Sequence, residues 1–257
     1  MSITTRPQGS LYTSIQNKIA TVEFGHPASN SFPSELLQRL TDELNTLSHN
    51  TDVNIIVLKS EGEKAFCAGA SFDELLEVSN LEEGAVFFSG FANVINAMRN
   101  CSKLIIGRIQ GKAVGGGVGL VAACDYALAT VESAVKLSEF TIGIGPFVIA
   151  PAVERKMGKA ALAEMTLAAD EWKNAYWAKE KGLYAKVFET ISDLDRELDI
   201  FTAKFAAYNP EALTAMKHVL WQGTEHWDTL LTDNAKISGK LVLSDFTREA
   251  LNKFKNK

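Results

Sequence analysis

The sequence predicts an α/β fold in which stacked strand–strand–helix units form a core and a helical region follows. Alternating apolar and polar residues, typical of strands, give way to apolar residues at three- and four-residue spacing, typical of helices. Short apolar runs typical of buried strands separate these helices, and the pattern beyond Ala150 is mostly helical. Of the 257 residues, 46% are hydrophobic and 22% are charged, which is the balance of a globular protein with an ordinary core.

The first unit contains a hairpin, a helix and a strand. Residues 10–24 alternate around Asn17 and Lys18, which predicts two antiparallel strands joined by a tight turn. Residues 33–48 carry leucines on one helical face, with a proline in the first turn, and this pattern predicts an amphipathic helix. The apolar run at 54–60 predicts a buried strand.

The same order of elements recurs further along the chain. A helix is predicted over 81–100 and a strand over 104–109, and a glycine-rich turn leads to a small-residue helix over 118–123. Two short strands are predicted over 125–130 and 133–137. The recurrence indicates stacked similar units, although no fixed-period sequence repeat accompanies it.

The remainder of the chain is predicted to be mainly helical. One strand is expected over 185–190, a helix opens at Asn209, and two further helices follow. We therefore divide the chain into a core of residues 1–195 and a C-terminal helical region of residues 196–257. The apolar faces of that region must be covered, either by the same chain or by an oligomer interface.

Composition and charge exclude several classes of function. The net charge of −5 argues against a nucleic-acid partner, which requires a basic face. The three cysteines show no CxxC spacing, so neither a disulfide framework nor a metal site is expected. The longest weakly polar stretch, at 140–153, is too short for a membrane span, and residues 1–9 lack an apolar signal core. We therefore expect a cytoplasmic protein.

The first segment that suggests chemistry is the small-residue stretch at 64–71, directly after a predicted buried strand. Alanine and glycine allow another group to approach the backbone, so that amide N–H groups can point at a ligand. A plain connecting loop explains this segment equally well when it is taken alone.

The second segment, residues 111–119, contains three consecutive glycines between a predicted strand and a helix. Exposed amides beside a helix N-terminus favour an anion because the helix dipole is positive there. A dinucleotide-binding fingerprint is not favoured, since the glycine spacing differs and the expected acidic residue does not follow.

The third segment, residues 138–146, places Glu139 before apolar residues and a Gly-Pro turn. Burial of a carboxylate among apolar neighbours raises its pKa, which suits proton transfer near neutral pH. Taken alone, a solvated or salt-bridged glutamate explains this position as well.

Together and in this order, the three segments resemble the crotonase (enoyl-CoA hydratase/isomerase) superfamily over nearly the whole chain. The matching stretches are KAFCAGAS at 64–71, GKAVGGGVGLVAACD at 111–125 and SEFTIGIGP at 138–146. The resemblance implies a crotonase-like spiral of stacked ββα units and an acyl-CoA thioester substrate, with no cofactor apart from the coenzyme A of that substrate. It also implies a homotrimer or a homohexamer, with the C-terminal region as the trimerisation region.

The resemblance further implies roles for individual residues. In the family two backbone amides form an oxyanion hole, and the matching amides here belong to Ala70 and Gly116, while Glu139 matches an acid that transfers protons. The same segments imply substrate-binding positions at Lys64, Ala68, Gly69, Phe72, Gly115, Gly119 and Pro146. Of these, Lys64 matches a family lysine that contacts the phosphate or the adenine of coenzyme A.

The sequence departs from the two-carboxylate hydratases of the family at one important position. Those enzymes carry a second glutamate two residues past the glycine triplet, where this chain has Gly119. A single Glu139 leaves hydration, double-bond isomerisation and decarboxylation open as outcomes from one stabilised enolate.

The motif stretches most resemble bacterial methylglutaconyl-CoA hydratase relatives. We therefore expect hydration of an enoyl-CoA, with 3-methylglutaconyl-CoA in leucine degradation as the candidate substrate. A Δ3,Δ2-enoyl-CoA isomerase or a decarboxylase is the alternative within the superfamily. A noncatalytic acyl-CoA-binding protein is the alternative from another class.

Overall fold

The computed structural model describes the backbone of residues 8–255 and the side chains of residues 8–253. The terminal residues 1–7 and 256–257 of the two predicted regions therefore lie outside the described residues. The strands are β1 (Ser10–Gln16), β2 (Ile19–Gly25), β3 (Ile55–Ser60), β4 (Ala65–Cys67), β5 (Leu104–Ile109), β6 (Lys112–Val114), β7 (Tyr126–Thr130), β8 (Val135–Lys136) and β9 (Lys186–Phe188).

Helices make up most of the rest of the described chain. They are α1 (Ser34–His49), α2 (Phe72–Glu77), α3 (Leu81–Asn100), α4 (Gly116–Ala123), α5 (Ala150–Met157), α6 (Lys159–Leu167), α7 (Ala175–Glu180), α8 (Ile191–Ala206), α9 (Pro210–Leu220), α10 (Trp227–Leu241) and α11 (Asp245–Lys255), with a short 3-10 helix at Glu139–Ile142. No helix of the described residues is long and apolar enough to cross a membrane.

Two sheets organise these elements. The larger sheet has the strand order β1-β2-β3-β5-β7-β9, with β1 antiparallel to β2 and the other neighbours parallel. The smaller sheet has the order β4-β6-β8 and is parallel throughout. Each successive pair, β3 with β4, β5 with β6 and β7 with β8, places one strand in each sheet. The predicted α/β fold of stacked ββα units is confirmed.

Local sequence explains the early elements well. Asn17 and Lys18 both have positive φ, at 52° and 64°, which a two-residue hairpin turn requires. The leucine face of α1 is buried as predicted. Some predicted bounds were wrong by a few residues: β8 shortens from 133–137 to Val135–Lys136, and α4 begins at Gly116 rather than at residue 118.

The helix that carries the glycine triplet is anchored at its far end. Lys156 of α5 donates to the backbone oxygens of Cys124 and Asp125, both at 2.9 Å, directly after α4. The Asp125 carboxylate is buried and accepts from Lys217 and from the Trp221 indole, each at 2.7 Å. Because every charge in this cluster has a partner, the C-terminal end of α4 is held in place.

The C-terminal region packs on the core of its own chain. Helices α3 and α10 cross at Gly84 and Gly239, where a methyl group on Gly84 would lie 2.7 Å from the Gly239 oxygen and 2.8 Å from its Cα. Helix α11 contacts the 3-10 helix. The division at residue 195 and the role of this region in trimerisation stay predictions.

Replacement of Gly84 by Ala is expected to lower the free energy of unfolding by about 1–3 kcal/mol, since the added methyl group meets backbone atoms that cannot rotate away. The matched control is Gly90→Ala on the same helix, whose methyl group would meet the Leu37 side chain, with the nearest atom, the terminal Cδ1, at 2.7 Å. Urea unfolding of both variants measures the difference. Equal stability of the two variants would show that the α3–α10 crossing tolerates a wider separation.

Candidate active site

Three loops meet at one edge of the small sheet. Residues 68–70 follow β4, residues 115–116 follow β6, and residues 138–139 follow β8. Because these strands are parallel, their carboxyl ends lie side by side, which is where α/β proteins place ligands. The three segments singled out in the sequence therefore come together in space.

These loops form one wall of a cavity of about 170 Å³. Aromatic and aliphatic side chains form the opposite wall, contributed by α3 and by the segment after the 3-10 helix. They include Phe87, Phe88, Phe91, Phe147, Val148 and Ile149. The cavity thus joins a polar backbone edge to an apolar lining.

The Ala70 amide is turned away from Phe32 by the hydrogen bonds of its neighbours. Phe32 N–H donates to the Gly69 oxygen at 2.8 Å, and Ser71 N–H donates to the Phe32 oxygen at 2.9 Å. In this parallel pairing the N–H of the intervening Ala70 points away from Phe32. A Cβ atom on Gly69 would lie 3.5 Å from the Gly116 nitrogen. The amides of Ala70 and Gly116 are therefore close neighbours.

Gly115 and Gly116 need their lack of a side chain for different reasons. Gly115 has φ +52°, a left-handed conformation that favours glycine. A Cβ atom on Gly116 would lie 2.4–2.6 Å from ring carbons of Phe91. The backbone at the start of α4 can approach the cavity only because both positions lack a Cβ atom.

Glu139 begins the 3-10 helix, and its carboxylate lies in the cavity. The residue as a whole is partly exposed, but its Oε2 atom is buried and has no hydrogen-bond partner in the described residues. A Cβ atom on Gly115 would lie 3.0 Å from Glu139 Oε1, so the carboxylate contacts the glycine loop directly. Burial raises the pKa of Glu139 from its ordinary 4.5 to about 7.

Gly119 is not part of the cavity lining, and its role in substrate binding stays a prediction. It faces the core one turn along α4, where a Cβ atom would lie 2.5 Å from Ile149 Cγ2 and 2.8 Å from Ile149 Cβ. A second carboxylate cannot be accommodated at this position unless Ile149 moves. The space beside α4 is instead filled by an apolar side chain.

Most of the predicted site residues line the cavity, whereas Lys64 lies away from it. Those that line the cavity are Ala68, Gly69, Ala70, Phe72, Gly115, Gly116, Glu139 and Pro146. Lys64 is exposed and precedes β4, at the end of that strand away from the cavity. Its contact with coenzyme A stays a prediction, as do the roles of the two amides and of Glu139.

Sequence reasoning missed the apolar wall and one residue from the C-terminal region. In the sequence, the phenylalanines of α3 have the helical spacing of an ordinary buried face. The periodicity of a sequence does not distinguish residues that line a cavity from residues in a core. Ser238 of α10 also lines the cavity. No motif pointed to it, because the crossing of α10 over α3 depends on tertiary packing.

Comparison with known proteins decides the family. The family model described as enoyl-CoA hydratase/isomerase matches residues 14–257. The chain belongs to the enoyl-CoA hydratase/isomerase family. It is thus an enzyme of the crotonase superfamily, as the motif resemblance predicted.

Members of this family with different named activities are similar to the chain. It is 28% identical over 197 residues to the peroxisomal Delta(3,5)-Delta(2,4)-dienoyl-CoA isomerase of Arabidopsis thaliana, covering 71% of this chain and 69% of that protein. It is 30% identical over 201 residues to the mitochondrial methylglutaconyl-CoA hydratase of Homo sapiens, covering 76% of this chain and 58% of that protein.

A solved structure in the same family has the same fold. A putative enoyl-CoA hydratase from Mycobacterium avium paratuberculosis K-10 superimposes with a TM-score of 0.84, at 27% identity and with 96% of each chain covered. The family therefore accounts for the spiral of ββα units, and the cavity geometry must decide what is particular to this chain.

Proposed function

We propose that this chain hydrates an enoyl-CoA thioester, with the Ala70 and Gly116 amides holding the thioester oxygen and Glu139 transferring the proton. The observation that carries the proposal is the placement of the Glu139 carboxylate, buried in the cavity against Gly115 with its pKa raised to about 7. A carboxyl group with that pKa is present in both its acid and its base form near neutral pH, as a proton-transfer catalyst requires.

The reaction follows from these positions. Glu139 accepts a proton from water as the hydroxyl oxygen bonds to C3, and the electrons of the C2–C3 double bond move onto the thioester oxygen. The two amides stabilise that developing negative charge more strongly than the neutral carbonyl. The enolate then collapses, and Glu139 returns the proton to C2. Loss of one such donor typically raises the barrier by roughly 2.7–4 kcal/mol.

Double-bond isomerisation is the second candidate, and the lining of the cavity favours it. Glu139 is the only titratable side chain among the described residues of that lining. A bound water needs about two to four polar partners, whereas a shift of the double bond needs only a base beside the enolate. Glu139 would then remove a proton from C2 of a 3-enoyl-CoA and return it to C4.

One incubation distinguishes these outcomes. The protein is incubated with crotonyl-CoA, 3-methylglutaconyl-CoA and a 3-enoyl-CoA, and the products are analysed by mass. The gain of one water identifies hydration, an unchanged mass with a shifted double bond identifies isomerisation, and loss of carbon dioxide identifies decarboxylation. The absence of product from all three would contradict the proposal and favour an acyl-CoA-binding protein.

The pH dependence of the reaction is also predicted. Because hydration uses the Glu139 carboxylate as the base, kcat/KM is expected to rise with pH through a midpoint near 7. Because the pKa of Glu139 is raised in the folded chain, the folded chain binds more protons than the unfolded chain between pH 4.5 and about 7. The contribution of Glu139 to the free energy of unfolding therefore falls as the pH rises through that window. A pH–rate profile with a midpoint near 4.5 would contradict the burial of this group.

Assembly and location remain to be tested in solution. The homotrimer or homohexamer stays a prediction from the family resemblance, and the cytoplasmic location stays a prediction from the composition of the sequence. Light scattering that finds a monomer would refute the first of them.

A further inference from the structure

The cavity has few polar side chains in its lining. Apart from Glu139, its polar side chains among the described residues are the hydroxyls of Ser138 and Ser238. No Lys, Arg or His belongs to the described lining. The cavity therefore offers a negative charge at the reacting centre and no positive charge within its walls.

The walls are closely packed and apolar. Phe87 and Phe88 meet edge to face with their ring centroids 5.1 Å apart, and Phe91 covers Gly116. Ile149 fills the space beside Gly119. The surface that surrounds the volume of about 170 Å³ is mainly apolar. A short acyl group bound in this cavity would therefore contact mainly apolar side chains.

Three basic side chains near the far end of α4 have other partners. Lys156 is bonded to carbonyl oxygens at the far end of α4, and Lys217 is paired with Asp125 in the buried cluster there. The Arg155 guanidinium stacks 3.8 Å from the centroid of the Trp221 ring. Moving Lys156 or Lys217 to the cavity would leave buried polar groups without a partner.

Resting on the enoyl-CoA chemistry proposed above, we propose that this cavity selects uncharged acyl groups and rejects acyl groups that carry a second carboxylate. A carboxylate held among the phenylalanines would lose its hydration without gaining a cation. It would also be repelled by the Glu139 carboxylate. This selectivity would distinguish the chain from relatives such as the human methylglutaconyl-CoA hydratase. It also argues against 3-methylglutaconyl-CoA, the substrate expected from the sequence.

The direct test is a matched pair of substrates. 2-Pentenoyl-CoA and glutaconyl-CoA share a five-carbon enoyl chain. The first ends in a methyl group and the second in a carboxylate. The expected kcat/KM is at least about a hundredfold lower for glutaconyl-CoA. Equal values, or a preference for glutaconyl-CoA, would overturn the proposal.

A binding measurement keeps this test separate from the proposed reaction. Valeryl-CoA and glutaryl-CoA form the corresponding saturated pair and cannot be hydrated. Calorimetry on the full chain is expected to give a Kd at least about tenfold higher for glutaryl-CoA. If that difference is found while neither enoyl-CoA reacts, the proposed function fails and the selectivity stands. Equal Kd values overturn the selectivity whether or not turnover is seen.

A variant tests whether charge is the cause. Phe147 is a partly exposed wall residue, so an arginine there can keep its guanidinium hydrated while its stem lies along the wall. Phe147→Arg is expected to lower the ratio of the glutaryl-CoA Kd to the valeryl-CoA Kd by at least about tenfold. The neutral control Phe147→Met is expected to leave that ratio unchanged. If the two variants narrow the preference equally, shape rather than charge sets the selectivity and the proposal is wrong.

Discussion

Replacement of Glu139 by Gln is expected to lower kcat by about 10²–10⁴-fold, the usual contribution of a positioned acid–base group. Glutamine keeps the size of the side chain but cannot accept or return a proton. Because the lost interaction is made only in the transition state, KM should change little. Steady-state kinetics with whichever acyl-CoA the wild type converts measures both constants.

The control for this variant is Glu132→Gln, an exposed glutamate on the turn after β7. It should leave kcat unchanged. The Glu139→Gln protein should also lose the contribution of Glu139 to the pH dependence of stability between pH 4.5 and about 7, which reports the burial of this carboxyl group. Full turnover by Glu139→Gln would show that another group moves the proton.

Replacement of Gly116 by Ala is expected to lower kcat by about 10²–10³-fold, the cost of losing one oxyanion donor. The added methyl group would lie 2.4–2.6 Å from ring carbons of Phe91. That ring is itself held by Phe32, with the centroids 5.9 Å apart, so the start of α4 must give way. The amide then leaves the position that it shares with Ala70.

A second substitution tests this explanation. Phe91→Leu removes the ring and should restore at least about tenfold of the activity lost in Gly116→Ala, because the helix can return to its place. Phe91→Leu alone provides the reference. If the double variant is as inactive as Gly116→Ala, the loss does not arise from displacement of the amide by this contact.

Elements with a clear local signal were predicted well. The hairpin turn at Asn17 and Lys18, the leucine face of α1 and the bounds of α3 all follow from periodicity or turn chemistry within a few residues. The convergence of the three loops also followed, although through the family resemblance rather than through any single motif.

Other features depend on contacts between distant parts of the chain and could not be predicted. The strands β4 and β6 have three residues each, too few to show a period. The family resemblance implied a site role for Gly119, but the side chain that covers it, Ile149, comes from a different segment. The apolar wall likewise required the three-dimensional crossing of helices.

The central claim is that Glu139 moves the C2 proton of a thioester enolate held by two backbone amides. Exchange of the C2 protons of butyryl-CoA with deuterium oxide tests it directly, because this exchange needs the base and the oxyanion donors but no water addition or double bond. We predict deuterium incorporation with the wild-type chain and a rate at least about a hundredfold lower with Glu139→Gln. Equal exchange rates for the two proteins, or no exchange by wild-type protein that binds butyryl-CoA, would contradict the claim.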